Sequence, residues 1–238
     1  LPQLEELLRR GKLNGVELQS ITAEEARIIE PRGKTFQRAI FSPTASTADP
    51  LEVLRAMQED AVAEGIVIRH DVAYLGKHGG TIKTSAGDCE AGYLINAAGL
   101  YADRVARDFK FSEEYRILPF KGLYLYSDEP AGTLRTNVYP VPDLRNPFLG
   151  VHFTVLVDGR AKIGPTAIPA FWREQYKGFE NFKFDEFAEI VFRGLGLLFF
   201  SGFDFKRLAA EETLKYSRAR LVSLAGTLLE GVKLSDYR

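Results

Sequence analysis

The stretch Tyr93-Leu94-Ile95-Asn96-Ala97-Ala98-Gly99-Leu100-Tyr101-Ala102-Asp103-Arg104-Val105-Ala106-Arg107 decides the fold class. Tyr93 to Ile95 form a short apolar run of strand type. Asn96 to Gly99 are small or turn-prone, and Ala102, Val105 and Ala106 recur at helical spacing. The reading is strand, tight turn, helix. Small side chains at such a turn let a ligand approach the backbone, and free amides at a helix start favour an anion. The same small residues also serve close packing, so Asn96, Ala97, Ala98 and Gly99 carry both readings.

Upstream, helix and strand signals alternate. Leu4, Leu7 and Leu8 line a short helix ending near Gly11, and Thr22 with Glu25 makes a capping box for a helix that runs through Ile29 and stops at Pro31. Asp49 caps and Pro50 opens a third helix, whose Leu51, Leu54, Met57, Ala61 and Val62 share one face. Ile66 to Ile68 read as a buried strand. Val72, Tyr74 and Leu75 are extended, Gly79-Gly80 is a hairpin turn, Thr81 to Thr84 return, and Gly87-Asp88 turns again. This succession suggests part of an α/β nucleotide-binding unit. Nowhere does a Gly-x-Gly-x-x-Gly join a strand to a helix, so the chain encodes no pyrophosphate cradle.

Downstream, longer strands are expected over Arg116–Tyr126, Asn137–Val141, Leu149–Val157 and Arg160–Pro165, with Asp158-Gly159 as a tight hairpin between the last two. In the third, Leu149, Val151, Phe153, Val155 and Val157 alternate with His152 and Thr154, so one face is core and the other is open to a ligand. Phe184–Phe200, broken near Gly194-Leu195-Gly196, and Arg207–Leu229 read as helices.

Composition narrows the function classes. The chain has 238 residues, 45% hydrophobic, with 31 basic and 32 acidic side chains. Near-neutral charge gives no reason to expect nucleic acid. One cysteine, Cys89, excludes an internal disulfide framework and favours a reducing, cytoplasmic setting. Three scattered histidines leave no metal-ligand spacing, so no metal is expected. No Gly-x-Ser-x-Gly elbow supports hydrolysis. The most apolar run, Leu195–Phe203, is shorter than the ~20 residues of a spanning helix and reads as core, with peripheral membrane contact left open. Leu1 enters a helical pattern directly and Arg238 follows a strand pattern, so both ends read as cuts in a longer chain.

Of the histidines, His78 sits beside a turn and His70 precedes Asp71 at a strand end, where solvation or a structural bond suffices. His152 differs, because its same-face neighbours are polar and Lys121 and Tyr139 lie on nearby strands. A cation can hold a carboxylate, and a near-neutral imidazole can accept the proton of an alcohol being oxidised. A structural role stays open for each of the three.

The segments Phe41–Pro50, Leu94–Gly99, Leu118–Gly122 and Asn146–Thr154 together resemble the FAD-dependent oxidoreductases of the D-amino-acid oxidase and glycerol-3-phosphate dehydrogenase superfamily. Within it, Pro147-Phe148-Leu149-Gly150-Val151-His152-Phe153-Thr154 and Ile163–Ala167 are most similar to the L-2-hydroxyglutarate oxidase or dehydrogenase group. The resemblance implies a mixed α+β fold. Residues 41–109 would be a partial FAD-binding domain, residues 1–40 and 110–230 an antiparallel-sheet substrate domain with helices, and residues 231–238 the start of a return to the FAD domain. It implies that Val72 and Asn96–Gly99 approach FAD, and that Lys121, His152 and Thr154 lie on the substrate side near the flavin; with the reading of the residues above, His152 is the expected catalytic base and Lys121, Tyr139 and Thr154 the expected contacts to a small carboxylate substrate. FAD is expected in the complete parent and little or none in this chain alone. Two rivals remain: an amino-acid or amine substrate on the same fold, and a cofactor-free binding domain. The sequence is silent on oligomeric state and electron acceptor.

Overall fold

A computed structural model describes residues 2–142, 148–200, 214 and 216–238. In chain order it contains α1 (Pro2–Leu13), β1 (Gln19–Thr22), α2 (Ala23–Ile29), β2 (Arg38–Phe41), α3 (Pro50–Ala63), β3 (Tyr74–His78), β4 (Thr81–Thr84) and β5 (Gly87–Glu90). There follow α4 (Ala102–Asp108), β6 (Phe120–Lys121), β7 (Leu125–Tyr126), β8 (His152–Val155), β9 (Ala161–Gly164), β10 (Ile168–Pro169), α5 (Phe184–Phe200) and α6 (Arg218–Ala225). Helices and antiparallel sheets are mixed, as expected. Two compact units form, one from Leu1–Val53, Phe120–Ile168 and Leu195–Arg238, the other from Leu54–Pro119 and Pro169–Gly194.

In the first unit, β1 and β2 pair antiparallel. The capping box is formed in full: the Thr22 hydroxyl accepts from the Glu25 amide, and the Glu25 carboxylate accepts from the Thr22 amide at 2.7 Å. The main sheet runs β7-β9-β8, all antiparallel. Its buried face carries Phe153 and Ile163, which cluster with Val151, Ala161, Leu134, Leu221, Val222, Ala225, Leu229 and Tyr237. Burying each large apolar side chain is worth about 1.5–3 kcal/mol, which makes this cluster the unit's main source of stability. The C-terminal residues extend the sheet, because Tyr126 and Arg238 exchange both backbone hydrogen bonds.

The expected strands here are shorter than their apolar runs. Pro119 and Gly122 divide Arg116–Tyr126 into β6 and β7. Asn137–Val141 contributes one bridge, Val138 to Phe153, because Pro140 and Pro142 have no amide to donate. Leu149 and Val157 fall outside β8 and are exposed. Of the expected helix Arg207–Leu229, residues 207–213 and 215 lie outside the described residues. Of the described remainder, Arg218–Ala225 forms α6, whose Ser217 cap accepts from the Arg220 amide, and the chain then turns so that Leu229 bridges Gly33 instead of continuing the helix.

In the second unit, β3-β4-β5 form a meander. Its second turn is at Ser85-Ala86, ahead of the expected Gly87-Asp88, since Gly87 already pairs with Thr84 and Asp88 with Lys83. Two expected strands are absent. Ile66–Ile68 and Tyr93–Ile95 form no ladder among the described residues, and Val67, Tyr93 and Ile95 are 79%, 92% and 88% exposed. A strand needs a neighbour to pair its backbone, and apolar character alone does not supply one. The apolar residues of α3 are likewise exposed, although Asp49 caps it as expected by accepting from the Leu51 amide. Helix α5 runs unbroken through Gly194 and Gly196, and Leu195 and Phe199 are exposed rather than core.

Candidate active site

The hairpin β8–β9 positions the site. Its register pairs His152 with Gly164 and Thr154 with Lys162, and directly paired residues share a face. His152, Thr154 and Lys162 therefore lie on the side opposite Phe153 and Ile163. His152 is not open, however. It is only 7% exposed, because the Tyr139 ring lies against it with centroids 4.3 Å apart. The single bridge at Val138 sets Tyr139 there, and Tyr139 keeps its other side in solvent.

The imidazole has one fixed bond. Its Nδ1 lies 2.9 Å from the Gly150 carbonyl oxygen, which can only accept, so Nδ1 carries the proton. No described residue hydrogen-bonds to Nε2, which in the neutral ring bears a lone pair. Burial lowers the pKa of His152, the Gly150 carbonyl opposes that, and the Lys162 charge adds to the lowering. The net result is a neutral ring at physiological pH with its basic nitrogen available.

Gly164, opposite His152, is required by its surroundings. Its φ is +149°, and an added Cβ would stand 2.6 Å from Tyr124 Cδ1 and 2.7 Å from the Leu123 carbonyl oxygen. Thr154 is half-buried on the same face. Lys121, on β6, is tied in through its backbone: its carbonyl accepts from the Thr166 hydroxyl, which also accepts from the Leu123 amide. No described contact links the Lys121 side chain to His152. The structure thus brings together His152, Tyr139 and Thr154, and adds Lys162, which sequence reasoning missed.

The expected cofactor residues lie in the second unit. The Asn96 side chain donates to the Ala102 carbonyl and accepts from the Ala98 amide, which fixes the turn ahead of α4. Asn96, Ala97, Ala98 and Gly99 are exposed, Gly99 has a φ of +51°, and a Cβ there would meet nothing within 4 Å. Val72 is half-buried just before β3. This open turn of small residues leaves room for a ligand to approach its backbone.

A different arrangement holds the rest of the second unit. The Arg173 guanidinium donates to both oxygens of Asp103 at 2.7 and 2.9 Å and to the Leu100 carbonyl. Asp103 also accepts from the Ile117 amide, and Glu186 accepts from the Arg173 amide. Burial would raise the Asp103 pKa, but the Arg173 bonds, the Ile117 amide and the nearby cations outweigh it and hold the carboxyl below the usual range. Arg173 and Asp103 satisfy one another, which marks a structural knot, while Glu186 Oε1 has no hydrogen bond to a described residue and is met by the charges of Arg104 at 3.2 Å and Lys183 at 3.6 Å.

Known proteins show the family to which the chain is similar. The family described as FAD dependent oxidoreductase matches residues 1–204. An Escherichia coli protein named L-2-hydroxyglutarate dehydrogenase is 35% identical over 197 residues, covering 80% of this chain and 46% of that protein. A Mus musculus protein named L-2-hydroxyglutarate dehydrogenase, mitochondrial, is 33% identical over 240 residues, covering 91% of this chain and 52% of its own length. The chain thus spans about half the length of these relatives. A solved Bacillus cereus glycine oxidase shares the fold with a TM-score of 0.59 at 16% identity, over 81% of this chain and 51% of that one. With the family matched across most of its length, the chain belongs to the FAD dependent oxidoreductases.

Proposed function

We propose that the chain carries the substrate-side chemistry of an oxidoreductase acting on a small 2-hydroxy acid, of which L-2-hydroxyglutarate is the example in the relatives' names. The observation that carries the reading is the state of His152: Nδ1–H is committed to Gly150, and Nε2, with no hydrogen bond to a described residue, is left as an acceptor on the sheet face opposite Phe153 and Ile163. Nε2 takes the hydroxyl proton as the C2 hydrogen leaves with its electron pair, and the alcohol becomes a ketone. Bound FAD supplies the two-electron acceptor for that hydride. Val72 and Asn96 to Gly99 would contact its nucleotide. Lys121 binds a substrate carboxylate, Tyr139 shields the imidazole from water, and Thr154 offers a hydroxyl beside it. The relatives' names favour a hydroxy acid over the amine substrate. A reducing compartment suits the exposed, unpaired Cys89, whether cytoplasmic or, as the Mus musculus name has it, mitochondrial. Among the described residues no helix is long and apolar enough to cross a membrane.

The test is His152→Ala in the flavin-loaded, full-length enzyme. Loss of a positioned base is expected to lower turnover ~100-fold to ~10,000-fold with bound flavin unchanged. Turnover at the parent rate with normal flavin loading would return His152 to a structural role.

A further inference from the structure

The hairpin register sets a cation on the sheet face of the imidazole. Lys162 is opposite Thr154 and two residues before Gly164, so it shares their face. Its ammonium nitrogen lies 4.3 Å from the centre of the Tyr124 ring. That ring occupies the space over Gly164, directly across the ladder from His152. The electrostatics agree, since the Lys162 charge is felt at His152. Yet among the described residues no carboxylate pairs with Lys162, whereas the nearby Arg160 is held by Asp158 at 2.7 Å. A cation resting on an aromatic face, half-buried and without an anion, is poised to receive one.

We propose that Lys162 is a further substrate-recognition residue, its ammonium group holding one of the two carboxylates of a dianionic hydroxy acid beside His152. This rests on the hydroxy-acid reading of the site and narrows it to diacids. Lys121 then serves the other carboxylate. A mechanistic consequence follows from the charges alone. A carboxylate on Lys162 screens the cation that opposes protonation of His152, so a dianion makes the imidazole a stronger base as it binds.

The test uses the purified chain and follows the His152 ring signals by NMR while glutarate, a dianion, or butyrate, a monoanion of similar length, is added. Glutarate is expected to shift the His152 signals saturably, and to raise the pH at which the ring titrates. Lys162→Met should weaken glutarate binding about tenfold, the scale of a lost charge-assisted contact, while leaving butyrate binding less affected. Lys162→Arg should keep most of the glutarate affinity, and Lys162→Gln repeats the test if Lys162→Met does not fold. Ligand-free Lys162→Met should also titrate His152 at a higher pH than the parent chain. If glutarate binds Lys162→Met and Lys162→Gln as tightly as the parent, Lys162 is not a recognition residue and the hydroxy-acid reading survives. If glutarate leaves the parent's His152 signals unmoved, the substrate reading fails and this proposal fails with it.

Discussion

Arg173 and His152 are both buried polar side chains, and they are held in opposite ways. The Arg173 fork is filled by Asp103 and the Leu100 carbonyl. Asp103 in turn takes the Ile117 amide. His152 has one nitrogen bound to Gly150, an aromatic ring on its face and no described partner for its second nitrogen. A buried polar group costs free energy unless it is paired, so a fully paired one stabilises a structure, while a half-paired one asks for a ligand. By that measure Arg173 and Asp103 hold the fold together, and His152 is the candidate for a ligand-binding group.

The strongest way to break that comparison is to cut the knot. Arg173→Met leaves Asp103 buried beside the weaker Arg107, at 3.9 Å, with its main partner gone. Removing one member of a buried pair typically costs about 3–5 kcal/mol. The expected outcome is a large fall in the urea midpoint, partly recovered when Asp103→Leu is added to relieve the orphaned charge. An unchanged midpoint for Arg173→Met would show that full pairing at this place does not measure stability.

A smaller loss is expected from the floor of the site. Gly164→Ala forces a Cβ at a φ of +149° against a backbone oxygen that has nowhere to move. Strain and overpacking of this kind cost about 1–3 kcal/mol. Thermal unfolding reads the loss, and the Tyr124 ring should leave its place under Lys162. A variant as stable as the parent would mean that the Tyr124 ring does not hold the position on which the approach of Lys162 to His152 depends.

Local signals in the sequence were the ones that could be read. The Thr22–Glu25 capping box, the Asp49 cap, the Gly79-Gly80 turn and the alternation around His152 are set by residues within a few positions of each other. The Arg173–Asp103 pair joins residues 70 positions apart, and neither carries a pattern that names the other. Lys162 was hidden by a single step of register. A two-residue turn at Asp158-Gly159 would pair Val155 with Lys162 and send the lysine to the core face. Instead Leu156 closes on Arg160, Gly159 takes a φ of +80°, and Thr154 meets Lys162. The apolar runs Ile66–Ile68 and Tyr93–Ile95 misled for another reason: composition marks a segment that can pair, and among the described residues no strand pairs with either.

Substrate binding should respond more gently than either stability. In the proposed reading Lys121 grips a substrate carboxylate in ground state and transition state alike, and Lys121→Ala removes that cation. Its loss in the complete enzyme is therefore expected to raise KM with kcat little changed. Steady-state kinetics beside His152→Ala separate a binding residue from a base. A fall in kcat matching that of His152→Ala would move Lys121 into the chemistry.

The smallest effect, and the most discriminating, is the pH dependence of stability. His152 is disfavoured as a cation in the folded chain, first by burial and further by Lys162, so its folded pKa lies below the ordinary value near ~6.5. Between that value and the folded pKa the unfolded chain binds the extra proton and the folded chain does not. Stability therefore falls as the pH drops through this window and is unaffected by His152 above it. Asp103 has the opposite charge type and a different window. Its carboxyl is held low, so its contribution is intact above the ordinary value near ~3.9 and is lost only as the pH falls further toward the folded pKa. The site should soften first and the knot later. Unfolding free energies of the parent and of His152→Gln, measured from pH 8 to pH 5, isolate the first window, because glutamine does not titrate. The parent should lose stability relative to the variant as the pH passes below ~6.5. Parallel curves across that range would mean that His152 is not held neutral by its surroundings, and the assignment of Nε2 as the base would lose its electrostatic support.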